Sequence, residues 1–247
     1  MGEVSVRFLG SGDAFGSGGR FQTCFYVRSD AAHLLIDCGA SSLVAMKRFG
    51  IDPSLIDTIL ISHLHGDHFG GVPFFIMYSN YVARRSKPLT IAGPPGLKTR
   101  VLEAMEVLFP DSSRMDLGFG IEFVELPDET DARISSLVVT PYSVMHPSGA
   151  PAYAVRISLD GKILAYSGDT EWTDALIPVA RGADLFVCEC THFENASGSH
   201  LDYQTLMVHR RELECDRIIL THMNEDMLRR IGNLDAESAE DGKSVVL

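Results

Sequence analysis

The chain has 247 residues, 45% hydrophobic and 22% charged, an apolar content that offsets chain entropy and excludes a disordered polymer. No run approaches the roughly 20 apolar residues of a membrane span. Lys and Arg number 21 against 33 Asp and Glu, a formal net charge of -12 with no basic run, which argues against a grip on long nucleic acid.

The opening MGEVSVRFLGSGD lacks the basic and apolar regions of a signal peptide. Cys24, Cys38, Cys188, Cys190 and Cys215 are odd in number, scattered and without a C-x-x-C. A disulfide-free, cytoplasmic protein is the expectation. Cys188 and Cys190 alternate along an apolar run and read as buried small hydrophobes on one strand face.

In chain order, VSVRFLGSGD predicts a strand entering a Gly-rich loop from Gly10 to Arg20, followed by strands CFYVRSD and AHLLIDCG around a turn at 29–32. Leu43, Met46 and Phe49 have helical spacing and stop at Gly50. DTILISH (57–63) is a short buried strand, with a helix following through Phe74 to Arg84. PLTIAGPPG predicts a strand, and Leu97, Val101, Ala104, Met105 and Leu108 mark one face of a helix over 97–109. Residues 111–135 are acidic and mixed. SLVVTPYSVMH, AYAVRISLDG, KILAYSGDT, ADLFVCECT, DRIILTHM and KSVVL read as strands, with a helix over 203–213. The expected architecture is one α/β domain over 1–247, an αββα four-layer sandwich of two mixed sheets flanked by helices.

The chemistry concentrates in Ser62-His63-Leu64-His65-Gly66-Asp67-His68, which leaves the end of the strand DTILI. Three imidazoles and a carboxylate in six residues form a dense N/O ligand patch for a borderline divalent metal. The turn directs His63 and His65 one way and Asp67 and His68 another, a spacing suited to two ions. His146, Asp169 and His222 each follow a further apolar strand. A buried Asp169 without a charge partner would cost several kcal/mol, so a metal is its natural partner.

These residues resemble the metallo-β-lactamase-fold superfamily, whose H-x-H-x-D-H motif and three later ligands match 63–68, His146, Asp169 and His222. The resemblance implies that His63, His65 and His146 bind one divalent metal (Zn or Mn), that Asp67, His68 and His222 bind a second, and that Asp169 bridges them. Two such ions can hold a hydroxide and polarise a phosphoryl or carbonyl oxygen, which leaves several ester classes open.

The opening FLGSGDAFGSGGR resembles the ribonuclease Z-like branch. There, a His matching His200 protonates the leaving oxygen and a Glu matching Glu189 orients it; Asp67 helps to position the attacking group. Residues 147–168, between His146 and Asp169, leave no room for the tRNA-gripping arm of ribonuclease Z. The arrangement is closer to the arm-less cyclic phosphodiesterases of phosphonate breakdown, seen in Thr191-His192 and His200-Leu201-Asp202. The chain lacks that family's cysteine-rich insertion.

The implied activity is a dinuclear phosphodiesterase for a small, cyclic or nucleotide-like diester. Alternatives are a ribonuclease Z-like RNA nuclease, a lactonase or thioesterase, and lastly a non-catalytic metal-bound ligand sensor. No membrane partner is expected, and homodimerisation follows from the resemblance alone. Gly10, Gly12, Gly16, Gly18 and Gly19 form either a simple turn or a close backbone approach to phosphate, and no P-loop Lys follows them. Arg20 reads equally as a phosphate contact or an internal tie. His192 reads as pocket lining or support.

Overall fold

The computed structural model of the protein describes residues 2–194 and 198–247; residues 195–197, just ahead of His200, lie outside them. Six strands come first: β1 (Ser5–Gly10), β2 (Cys24–Arg28), β3 (His33–Ile36), β4 (Thr58–Leu60), β5 (Leu89–Gly93) and β6 (Ile121–Glu125). They line up in that order in one sheet. The second sheet holds β7 (Ala132–Ile134), β8 (Leu137–Val144), β9 (Ala152–Leu159), β10 (Lys162–Tyr166), β11 (Leu185–Glu189), β12 (Ile218–Thr221) and β13 (Glu237–Ser238), also in chain order. The last strand, β14 (Ser244–Val246), crosses back to pair antiparallel with β1. Each sheet is therefore seven-stranded and mixed.

Strand alternation sorts the apolar side chains into layers. Phe25 and Val27 of β2, Leu34 and Ile36 of β3, and Leu164, Tyr166, Leu185 and Val187 of β10 and β11 face one another between the sheets. The alternate residues Tyr26 and Leu35 face outward under α1 (Ser42–Arg48), α3 (Val72–Tyr81) and α4 (Leu97–Leu108), with the short α2 (Gly66–Phe69) between α1 and α3 in the chain. On the far side, Ala165, Phe186, Cys188 and Leu220 lie under α5 (Leu176–Ala180), α6 (Tyr203–His209) and α7 (Glu225–Arg230). This is the expected four-layer αββα sandwich.

The helix expected after Gly71 through Phe74 to Arg84 begins at Val72 and ends at Tyr81, and it is preceded by a separate turn, α2, inside the His-rich motif. Helices α5 and α7 were not legible in the sequence, since five or six residues are too few to show a 3.6-residue period. All five cysteines are free. Burial pushes the Cys24 thiol up to about 12, so it is inert at neutral pH. Among the described residues no helix is long and apolar enough to cross a membrane.

Two expectations for the Gly-rich loop resolve into internal packing. A Cβ at Gly10 would meet the Gln22 carbonyl oxygen at 1.9 Å, so that glycine serves close approach of the chain to itself. Arg20 donates to the Ala239 carbonyl at 2.7 Å and to Ser11 Oγ at 3.3 Å, tying the loop to the C-terminal segment. Its guanidinium is thus committed within the fold.

Candidate metal centre

Sheet geometry delivers the polar residues to one rim. Just beyond β4, Ser62 accepts from the Tyr153 amide at 3.0 Å, which joins the two sheets beside His63. His65 stands at the N-terminal boundary of α2, the single turn that carries Asp67 and His68. The loop after β3 clasps this turn: Cys38 N donates to the His68 carbonyl at 2.6 Å and Gly71 N to the Cys38 carbonyl at 2.8 Å. A Cβ at Gly39 would strike the Asp67 carbonyl oxygen at 2.2 Å, so glycine is required there. His146, Asp169 and His222 follow the ends of β8, β10 and β12.

The structure brings all seven predicted ligand residues together. His63, His65 and His146 form one group that could hold a metal ion, and Asp67, His68, Asp169 and His222 form another, with ligand atoms in each within 4.8 Å of one another. Asp169 Oδ2 is central: it lies 3.2 Å from His68 Nε2, 3.4 Å from His222 Nε2, 3.8 Å from His63 Nε2 and 4.0 Å from His146 Nε2.

The outward-facing ring nitrogens show what this cluster is built to bind. The Asp37 carboxylate can only accept, so at 2.7 Å it holds the His68 proton on Nδ1. Ser62 gives its hydroxyl proton to Asp37 and therefore accepts from His63 Nδ1 at 3.1 Å. Thr191 likewise donates to Glu189 and accepts from His222 Nδ1 at 3.0 Å. The Ser199 carbonyl takes the His146 Nδ1 proton at 2.8 Å. With those protons on Nδ1, neutral His63 and His68 turn Nε2 lone pairs into the cluster, while His146 Nε2 meets His65 Nδ1 at 3.0 Å and His222 Nε2 meets Asp67 Oδ2 at 3.2 Å. His63 Nε2, His68 Nε2 and Asp169 Oδ1 are buried without a hydrogen-bond partner. Converging lone pairs and orphaned carboxylate oxygens repel one another unless a cation sits among them, and an all-N/O donor set suits a borderline divalent ion.

Charge in the cluster is correspondingly strained. Burial pushes the His63 imidazole far below its ordinary range, and neighbouring His68 adds to this. For His222 burial acts downward too, but Asp169 and Asp67 outweigh it and raise the ring to about 9. Burial would raise the Asp169 carboxyl, yet the surrounding imidazoles hold it well below its ordinary value.

Glu189 and His200 stand beside the cluster. Glu189, fully buried at the end of β11, accepts from the Thr170 amide at 2.5 Å and Thr191 Oγ1 at 2.8 Å. His200 Nδ1 lies 3.1 Å from Glu189 Oε1, and its ring stacks on His222 with centroids 5.3 Å apart. Burial acts against the charged ring, but the Glu189 hydrogen bond and charge leave the His200 pKa raised. Although His200 Nδ1 comes within 3.9 Å of Asp169, its proton is engaged by Glu189, which leaves Nε2 as the free edge. His192 pairs with Asn224 Nδ2 at 3.0 Å and joins His200 and His222 in lining a cavity of about 500 Å³.

The sequence assigned no role to Asp37, Ser62, Thr191 and Ser199, which set the ring protons. Asp37 had one visible signal, an acidic residue ending the apolar run AHLLID; it takes a left-handed backbone conformation with φ of 57°.

The model of the anti-Pycsar protein Apyc1 family matches residues 4–239. The chain belongs to this family. A Ribonuclease Z of Lachnoclostridium phytofermentans is 24% identical over 99% of this chain and 98% of its own. Among solved structures, the metallo-β-lactamase fold protein YhfI of Bacillus subtilis superposes with a TM-score of 0.77 at 20% identity, covering 99% of this chain and 100% of that one. A diphosphatase of the PhnP family gives 0.76 at 18% identity, covering 98% of this chain and 97% of that one. This Apyc1-family chain thus has the metallo-β-lactamase fold. Between His146 and Asp169 it has only β9, β10 and their turns.

Proposed function

We propose that the chain is a phosphodiesterase for a small, cyclic or nucleotide-like diester, using two divalent ions, Zn²⁺ or Mn²⁺. His63, His65 and His146 would hold one, Asp67, His68 and His222 the other, with Asp169 between them. Bound there, such ions supply Lewis acidity toward a phosphoryl oxygen and activation of water.

The observation that carries the reading is the His200–Glu189 pair at the edge of the cluster. An alkoxide leaving from phosphorus needs a proton, whereas hydrolysis of an activated ester does not. Glu189 holds the His200 proton on Nδ1 and supports the charged ring, so Nε2–H is the group that protonates the leaving oxygen. The ring recovers its proton from solvent afterwards. Stacking on His222 fixes the plane of His200 and directs that edge. Asp67, facing His222 at 3.2 Å, orients the attacking water.

Size and charge support a compact substrate. A cavity of about 500 Å³ suits a small molecule, and a net charge of -12 repels long polyanions. The Ribonuclease Z relative is by name a nuclease, so its bond class is the phosphodiester.

The test is His200→Ala assayed on two diesters, one leaving as an alkoxide and one as a nitrophenolate, with metal content measured on both proteins. The expected loss in kcat is about 10²–10⁴ for the alkoxide and much smaller for the nitrophenolate, at unchanged metal content. Equal losses on both, or a wild type that turns over no diester with Zn²⁺ or Mn²⁺, would refute the reading.

A further inference from the structure

Phe15 is 94% exposed, yet it sits at the tip of a loop held on several sides. The Asp13 carboxylate accepts from Phe15 N at 3.2 Å, Ser17 N at 2.9 Å and Ser17 Oγ at 2.7 Å. Glu225, opening α7, accepts from Gly18 N at 2.8 Å, and Gln22 Nε2 reaches the Ala14 carbonyl at 3.1 Å. The backbone is therefore set while the ring is left in water, an arrangement that presents an aromatic face rather than burying it.

The ring faces the cavity that His200 and His222 also line. The wall of that cavity beside α7 is fixed too. Asn224 Oδ1 accepts from the Asp226 and Met227 amides, so its amino group donates to His192 Nδ1. Asp13 and Glu225 hold the loop, and Arg229, the one Lys or Arg of the lining, lies along α7 beside Asp226 at 3.5 Å. Three carboxylates, Asp13, Glu225 and Asp226, stand against that one arginine in the lining, a balance that disfavours a second phosphate. What remains for the far part of a substrate is an apolar face, suited to an uncharged planar ring.

Resting on the phosphodiesterase reading, we infer that Phe15 is a specificity-determining residue, a stacking platform for the planar base of the diester whose phosphate lies at the His200 end of the cavity.

The experiment compares wild type, Phe15→Ala and Phe15→Trp on a 3′,5′-cyclic nucleotide and on a base-free cyclic ribose phosphate. Binding of the cyclic phosphorothioate is measured alongside by calorimetry. In Phe15→Ala the ratio of kcat/KM for nucleotide over base-free substrate falls about tenfold, mainly through KM, and the phosphorothioate Kd rises by a similar factor. Phe15→Trp recovers most of both. Melting temperatures of all three proteins agree closely, since the replaced ring is almost wholly in solvent. An unchanged ratio, or a Trp variant no better than Ala, overturns the role of Phe15 while leaving the phosphodiesterase reading intact. A wild type that hydrolyses neither substrate overturns the phosphodiesterase reading itself.

Discussion

Asp37 shows how a single buried carboxylate can govern a centre it does not belong to. Its two oxygens take the Ser62 amide at 2.8 Å, the Ser62 hydroxyl at 2.8 Å and the His68 ring at 2.7 Å. Through Ser62 it also sets the proton on His63. An amide at this position offers N–H where an acceptor is required, so one ring must turn its proton toward the cluster. Asp37→Asn is expected to weaken metal binding by about 10–100-fold, measured by competition with a chromophoric chelator, with activity partly restored by excess metal. Unchanged affinity would mean that the ring orientations are held elsewhere. His200 and Glu189 were legible through the resemblance to the ribonuclease Z-like branch; Asp37 was not legible, because an Asp ending a strand looks the same whether it caps a turn or orients a ligand.

At the scale of elements, the rim is made of strand ends, and the strands hold because their edges are tied. Glu237 of β13 accepts from Arg217 Nε and Nη2, both at 2.7 Å, and from Lys243 at 2.7 Å, just ahead of β14. It thereby links the approaches to β12 and β14. The Arg217 hydrogen bonds, opposed by partial burial and aided by Lys243, lower the Glu237 carboxyl to about 2. A depressed carboxylate stabilises the fold fully above its ordinary range near pH 4.5 and loses that contribution as pH falls toward 2. The group is about one-third exposed, so screening limits the effect to about 1 kcal/mol or less. Glu237→Gln should therefore melt below wild type at pH 7, with the gap closing between pH 4.5 and pH 2. A gap that persists in acid would point to packing instead of charge.

Across the whole molecule, three apolar clusters hold the sandwich, and the polar rim lies where the sheets open. Stripping metal with a chelator should then leave secondary structure intact while exposing the repulsion among Asp67, Asp169 and the bare imidazoles. With free metal at about a hundred times Kd, the lost linkage is about 2.7 kcal/mol, or on the order of 5–10 °C in melting temperature for a chain of this length. Calorimetry with and without chelator checks this, with recovery on adding Zn²⁺ or Mn²⁺. An unaltered melting temperature would show that the folded state gains nothing from a cation.

The seven candidate ligand residues stood out in the chain because they follow buried apolar runs, which period-two alternation identifies locally, whereas His200 and Glu189 were singled out by the resemblance to the ribonuclease Z-like branch. The -12 charge and the short span between His146 and Asp169 likewise belong to the sequence alone and bear on substrate size. Tertiary structure alone decided which nitrogen each imidazole presents, since the acceptors Asp37, Thr191 and Ser199 are brought in from distant segments. It also decided that Arg20 is spent on the C-terminal segment and that Phe15 stands free over the cavity. Those outcomes depend on which partner each polar atom finds across the fold, information that no local pattern contains.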